Sequence, residues 1–297
     1  EKIEKLKKKN LSNILFLIIS KSGNTTETIS NLLSLNIIRT NSKNIILISQ
    51  KNNSFLHTLS KKKNIFHISH KDYLGGRYSV LSETGCVPAY LMGLNISRIR
   101  KNLLIHFKPP NSNYLKDSVK KMSVMLNKKK FKTIVMVNYI PELNDFLYWN
   151  QQLIAESLGK NGKGFLPLVS TAPKDHHSLL QLFLDGPKDK IFYFFNLDKI
   201  NDKKINSKIF GKPGKYLNKK SLNQIKNSQK DSFIQALRKK NIPIREFKLK
   251  NLDEETLGEL FSYFMLEISM IGLMNNSNPF DQPAVEQVKL LTKKKLL

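Results

Sequence analysis

The chain has 297 residues, 40% of them apolar, and a formal net charge of +27. That length accommodates two medium α/β domains, each with its own core. No apolar run approaches the roughly 18 residues of a membrane span, the charged stretch from Glu1 to Asn10 has no secretory-signal core, and Cys86, as the one cysteine, excludes an internal disulfide.

Ile14-Leu15-Phe16-Leu17-Ile18-Ile19 reads as a strand buried on both faces, the signature of a parallel sheet. A polar turn and a helix from Thr25 to Leu35 follow. Next come a strand at Ile45-Ile46-Leu47-Ile48, a short helix from Phe55 to Leu59, a strand at Ile65-Phe66-His67-Ile68 and a largely helical stretch from Leu81 to Leu104. Lys108-Pro109-Pro110-Asn111-Ser112-Asn113 is the clearest linker. After it the pattern restarts: a helix over Tyr114–Leu126, a strand at 133–137, a helix over Glu142–Ser157 and a strand at 190–195. Asp198 to Lys220 reads as a surface excursion. The helix 221–240, the strand 242–248, the apolar helix Glu254–Met274 and a last helix near Pro283 complete the chain. Strands alternating with helices imply βαβ units and parallel sheets, hence an α/β fold of two related domains.

The charge is carried by scattered lysines, including four Lys-Lys-Lys runs that start at Lys7, Lys61, Lys128 and Lys293. Arginine, the usual reader of phosphates and bases, is not enriched, and AT-rich coding accounts for abundant Lys and Asn. Nucleic acid and membrane are therefore not expected partners, although a positive field would attract an anionic substrate. A single cysteine gives no metal site and fits a reducing cytoplasm.

Five segments carry candidate chemistry. Ser20-Lys21-Ser22-Gly23-Asn24-Thr25-Thr26-Glu27-Thr28 directly follows a strand and opens a helix, with five hydroxyl residues in nine. Free N–H groups and the positive end of the helix dipole suit a phosphate monoester there; plain capping by Asn24 with Glu27 is the alternative. In Gly75-Gly76-Arg77-Tyr78-Ser79 paired glycines permit close backbone approach and hold Arg77 beside a ligand, or simply make a turn with a solvated arginine. Gln152 and Glu156 are four residues apart and share a helical face beside Leu153 and Ile154. A carboxylate against apolar surface suits a general base, whereas an exposed helix glutamate is the bland reading. Of the adjacent histidines in Lys174-Asp175-His176-His177-Ser178, which point in different directions, either suits acid–base work or capping. Asn278-Pro279-Phe280-Asp281-Gln282-Pro283 makes a rigid turn into a helix carrying Lys289. His57, His67, His70 and His106 are assigned structural roles.

Taken in order, these segments resemble the phosphoglucose isomerase family of the sugar isomerase (SIS) superfamily. Gly75-Gly76-Arg77-Tyr78-Ser79 is similar to one family signature, and Asn278 through Lys289 to another. The Ser-Lys-Ser loop is similar to the superfamily's phosphate loop, and Glu156-Ser157, Gly162-Lys163 and His177 match the intervening pattern. The resemblance implies two SIS-type three-layer αβα domains, residues 1–108 and 109–297, the first incomplete at its N-terminus. It implies interconversion of D-glucose 6-phosphate and D-fructose 6-phosphate through a cis-enediol, a step of glycolysis and gluconeogenesis. Under it, Ser20, Lys21, Ser22, Thr25 and Gly76 hold the phosphate sugar, Gln152 positions it and Glu156 moves the proton. Arg77 stabilises the enediolate, His177 and Lys289 assist ring opening, and Glu27 and Gln282 support them. The resemblance further implies no cofactor and no metal, and a homodimer in which His177 serves the neighbouring subunit. A mannose 6-phosphate activity or a non-catalytic sugar-phosphate sensor are the alternatives. Family members also have a portion preceding this chain, with a Gly-Gly-Ser loop not seen upstream of Ile14, and Ala284 stands where glycine is frequent.

Overall fold

Apolar runs rich in β-branched and aromatic residues form the strands, because such side chains pack well on a pleated, buried surface. The computed structural model describes residues 2–128, 130–197 and 203–297. The chain divides into two compact units, residues 1–100 and 101–297.

In the first unit α1 (Lys2–Lys7) precedes β1 (Phe16–Ile19), α2 (Thr26–Leu35), β2 (Ile45–Ser49), α3 (Phe55–Lys63) and β3 (Phe66–Ser69). A 3-10 turn at Gly76–Leu81 then leads to α4 (Glu83–Leu91) and α5 (Ile96–Arg100). The strands are parallel in the order β1-β2-β3. Phe16, Ile45 and Leu47 meet Leu32 of α2 and Leu56 of α3 in one core; fully burying each such side chain stabilises by about 1.5–3 kcal/mol. The single helical stretch expected over 81–104 is broken. Gly93 at φ +86° ends α4, and Asn95 Oδ1 accepts from Arg98 N at 3.1 Å to start α5.

The second unit contains α6 (Asn111–Asn127), β4 (Thr133–Asn138), α7 (Asn144–Leu158), β5 (Leu166–Thr171), α8 (Leu180–Asp185) and β6 (Lys190–Leu197). It continues with α9 (Leu222–Lys239), β7 (Ile244–Leu249), α10 (Glu254–Met274) and α11 (Pro283–Leu296). Its sheet is parallel, in the order β5-β4-β6-β7. Strand alternation builds three layers. Val135, Val137, Phe192 and Phe194 face Phe183 of α8 and Phe233, Ile234 and Leu237 of α9. On the opposite face Phe195 and Phe247 stack at 4.7 Å and meet Phe264 of α10, while Tyr193 donates to Met122 Sδ of α6.

Sequence reasoning placed no strand at Leu166–Thr171. Pro167 lowers strand propensity and cannot donate to a ladder, which suits only an edge. β5 is such an edge strand, paired with β4 alone. The residues Asn111–Asn113, expected in a linker, form the first turn of α6, which Pro110 initiates with φ −79°. Residues 101–108, expected with the first domain, pack within the second unit: Lys101 Nζ pairs with Glu255 at 2.9 Å and Ser262 Oγ donates to Leu103 O at 2.6 Å. The first five residues of the expected excursion, 198–202, lie outside the described residues; from Lys203 onward it forms 3-10 turns joined by a bridge between Lys204 and Ser221.

Among the described residues α10 alone is long and apolar enough to cross a membrane. Within the fold its Phe264, Ile268 and Ile271 are at most 3% exposed and it packs against α6 and α7, so its apolar character serves the core. The Lys-Lys-Lys runs meet helix ends: those starting at Lys61 and Lys293 occupy the last turns of α3 and α11, Lys7 ends α1, and Lys128 caps α6. Cations are favourable there because the carbonyl end of a helix is negative.

Candidate active site

Ligand loops of a parallel sheet lie beyond the carboxyl ends of its strands, and the candidate loop of the first unit stands at that end of β1. The segment 20–25 leaves β1 and enters α2. Ser20 is buried, and its Oγ shares a 2.7 Å hydrogen bond with Thr25 Oγ1. Thr25 is the N-cap of α2, but its hydroxyl turns to Ser20 and makes no capping bond. Among the described residues nothing accepts from the backbone N–H groups of Thr26, Glu27 and Thr28. Asn24 does not cap α2, the alternative reading of the loop: its Oδ1 accepts from Phe55 N at 2.9 Å, which ties the loop to the start of α3. Gly23, at φ +68°, packs so tightly that an added Cβ would stand 2.7 Å from Ser54 Cβ. Ser22, Asn24, Thr25 and Glu27 remain exposed and Lys21 half-buried. The result is an exposed set of hydroxyls and free N–H groups at a positive helix end, a chemistry suited to an anion.

Beyond β3, the turn holding Gly76 and Arg77 shares the same end of the sheet. Neither Gly75 nor Gly76 is among the positive-φ glycines, and a Cβ at Gly76 would meet nothing within 4 Å. The glycine at 76 therefore leaves open space over its backbone. Arg77 is 3% exposed, with its guanidinium 5.4 Å from the Tyr78 ring centroid; the solvated-arginine reading does not hold.

In the second unit α7 carries Gln152 and Glu156 on one face, and Gln152 Nε2 donates to Glu156 Oε1 at 3.0 Å. Leu153 and Ile154 beside them are fully buried, and Glu156 itself is half-buried. Glu156 lines a cavity of about 670 Å³ together with Lys160, Ser277, Asn278, Asp281 and Gln282. The turn from Asn276 to Gln282 is thus brought against the C-terminal end of α7. Phe280 N donates to Asn278 Oδ1 at 3.0 Å and Asn278 Nδ2 to Asp281 Oδ2 at 3.2 Å, which rigidify the turn. Gly272 of α10 lets it approach, since a Cβ there would stand 2.9 Å from Pro279 Cβ. Lys160 closes the other side. Its Nζ donates to Asn278 O and, at 2.6 Å, to Asp281 Oδ1. No local pattern singles out Lys160, because its partner lies 121 residues away.

Other expected residues of this unit lie elsewhere. The two histidines diverge as expected. His176 turns inward, with Nε2 2.7 Å from Tyr139 Oη and its ring edge-on to Phe233. Burial, then the charge of His177, holds its pKa below the ordinary value, against the pull of Asp175. His177 is exposed and does not line the Glu156 cavity. Asp175 fixes the loop beneath both by accepting from Thr171 N at 2.7 Å and Ser170 Oγ at 3.0 Å. Lys289 also stays outside that lining and pairs with Glu286 at 2.7 Å on the exposed helix α11.

Comparison with known proteins fits this arrangement. The phosphoglucose isomerase family model matches residues 1–296. The chain belongs to the phosphoglucose isomerase family. It is similar to the glucose-6-phosphate isomerase of Methanocaldococcus jannaschii, with 35% identity over 96% of this chain and 72% of that protein. It is 33% identical to a Methanococcus maripaludis protein named "Probable glucose-6-phosphate isomerase", over 94% of this chain and 65% of that one. The chain therefore spans about two thirds of the length of these curated relatives. A hypothetical protein from Thermus thermophilus has the same fold, with a TM-score of 0.86 and 24% identity over 100% of this chain and 75% of its own.

Proposed function

We propose that this phosphoglucose isomerase family chain interconverts D-glucose 6-phosphate and D-fructose 6-phosphate, with Glu156 as the base. The observation that carries the reading is the half-buried Glu156 carboxylate, oriented by Gln152 and opening on a cavity bordered by the family's terminal motif. On the open-chain aldose, Glu156 takes the C2 proton, the released pair forms the C1–C2 double bond, the carbonyl pair moves onto the C1 oxygen, and that oxygen takes up a proton matched by the one the C2 hydroxyl gives up. Glu156 then returns the proton to C1 as the C2 oxygen becomes the ketone. No atom is gained or lost, and a positioned base with charge stabilisation suffices.

The hydroxyl pair of Ser20 and Thr25, the neighbouring Lys21 and Ser22, and the free N–H groups opening α2 take the phosphate in this reading. Open space over Gly76 admits substrate beside the backbone, and Arg77 offsets the negative charge of the enediolate. Lys289 and His177 assist ring opening, with Glu27 and Gln282 in support. Exposure of His177, away from the lining of the Glu156 cavity, favours its donation to a second copy in a homodimer. Cys86 is unpaired, in keeping with a reducing cytoplasm.

The test is the isomerase rate of the full-length protein and of Glu156→Gln. Loss of a positioned base is expected to lower turnover by about 10²–10⁴-fold, and a variant with near wild-type turnover would overturn the assignment. Mixing Glu156→Gln with His177→Ala is expected to regain activity, because one of the two exchanged sites then holds both groups; no recovery would argue against cross-subunit donation.

A further inference from the structure

We infer that Lys160 is a positioning residue for the reaction: a strut that sets the distance between the end of α7, which carries Glu156, and the turn that launches α11. The inference rests on the isomerase reading above and adds to it a residue that acts through others.

The geometry argues for it in three steps. Lys160 follows Glu156 by one helical turn's worth of residues, just past the end of α7 at Leu158 and Gly159. Its side chain is 11% exposed, which is uncommon for an ammonium group. Placing such a charge out of water costs several kcal/mol unless partners repay it. Both partners lie in one short turn: the carbonyl of Asn278 and the carboxylate of Asp281. Lys160 is therefore well placed only when that turn is docked against α7, and the turn has a charge-assisted bond drawing it there.

The rest of the contacts show what the strut adds. On its α10 side the turn is fixed by Ser277 N donating to Gly272 O at 2.9 Å and by the close approach of Pro279 to Gly272. These hold the Ser277–Pro279 end of the turn to α10, while Asn278 and Asp281 meet the end of α7 through Lys160. Lys160 contributes two hydrogen bonds between the end of α7 and the turn, and their loss loosens the cavity wall at Asn278–Gln282 beside Glu156. Catalysis tolerates little drift, since a misplacement of about 1 Å can cost as much as 100-fold in rate.

A merely structural lysine and a positioning one differ in what they move. Lys160→Met keeps the stem and removes the charge, and Asp281, with 51% of its side chain exposed, can be rehydrated, so the fold is expected to survive. The experiment measures kcat and KM of the full-length enzyme on fructose 6-phosphate for wild type, Lys160→Met, Lys160→Arg and Asp281→Asn. Amide exchange at residues 277–282 is followed alongside. The expected result for Lys160→Met is a kcat lower by about 10- to 100-fold with KM within about threefold, faster exchange in the turn, and recovery of most of the rate in Lys160→Arg. Combining Lys160→Met with Asp281→Asn is expected to cost no more than Lys160→Met alone, the signature of one shared interaction. A Lys160→Met kcat within about threefold of wild type, or a Lys160→Arg enzyme as impaired as Lys160→Met, would overturn the inference. If Lys160→Met does not fold, Asp281→Asn decides by the same criteria. If the wild-type enzyme itself lacks isomerase activity, the functional reading fails. The strut then stands or falls on whether turn exchange accelerates in Lys160→Met and returns in Lys160→Arg.

Discussion

The loop 20–28 of the first unit and the polar links of the second unit are built in opposite ways. In the loop the central hydrogen bond, between Ser20 and Thr25, spans five residues, and the groups proposed to bind an anion come from one strand end and one helix start. In the second unit Lys160 reaches Asp281 across 121 residues, and Ser118 reaches Glu267 across 149. The local construction offers its groups to solvent, while the long-range ones are spent on holding segments together. The proposed anion-binding groups thus sit in one short motif, whereas the surroundings of the proposed base Glu156 need the whole unit folded first.

The largest expected effect tests the long-range side. Glu267 is 1% exposed, and its Oε1 accepts from Arg245 at 2.6 Å, Ser118 at 2.5 Å and Tyr263 at 2.8 Å. Glu267→Ala leaves the half-buried guanidinium of Arg245, ringed by Tyr193, Phe247 and Tyr263, without its carboxylate. Breaking such a pair is expected to cost about 3–5 kcal/mol in urea unfolding; a loss under about 1 kcal/mol would show that the second unit does not depend on its distant links.

Gly23→Ala tests the local side. The backbone at φ +68° and the contact with Ser54 leave no room for a methyl group, so a loss of about 1–3 kcal/mol is expected by the same measurement. Weaker binding of sugar phosphate should accompany it. Unchanged affinity would separate the shape of the loop from its proposed role.

A smaller effect concerns pH. Burial keeps His176 below its ordinary value of 6.5. As the pH falls through that value the unfolded chain takes up a proton that the folded chain resists, so stability declines with acidification below neutrality. His67, lowered by burial and by the charges of His57 and Lys51, adds the same sign in the first unit. His176→Asn is expected to flatten the pH dependence of thermal unfolding between about pH 7 and 5.5, leaving the share due to His67 and His106. A steeper slope in the variant would contradict the burial account.

The smallest effect is expected at Glu286→Gln. Its pair with Lys289 has side chains 59% and 60% exposed, and such surface pairs change stability by about 0.5 kcal/mol or less. A larger change would mean that α11 is more firmly held than its lack of buried residues indicates.

Much of the fold was legible because it is local. Continuous apolar runs such as Ile45–Ile48 and 190–195 marked buried parallel strands, and the helix read over 221–240 forms as α9, with both capping-box bonds between Ser221 and Gln224 at its start. The edge strand β5 escaped notice because Pro167 weakens the pattern that a single-sided ladder nonetheless tolerates. The break between α4 and α5 escaped because one glycine at positive φ outweighs an otherwise helical stretch.

By itself the sequence determined the alternating α/β order, the hydroxyl-rich opening of α2 and the shared face of Gln152 and Glu156, since each depends on neighbours within a few residues. Tertiary structure decided that Arg77 is buried, that His176 turns inward while His177 faces solvent, and that Asn24 serves α3 instead of α2. It also decided that Lys160 meets Asp281. The physical reason is common to these cases: burial and hydrogen-bond partners are properties of surfaces brought together by folding, and no local periodicity encodes which distant surface will arrive.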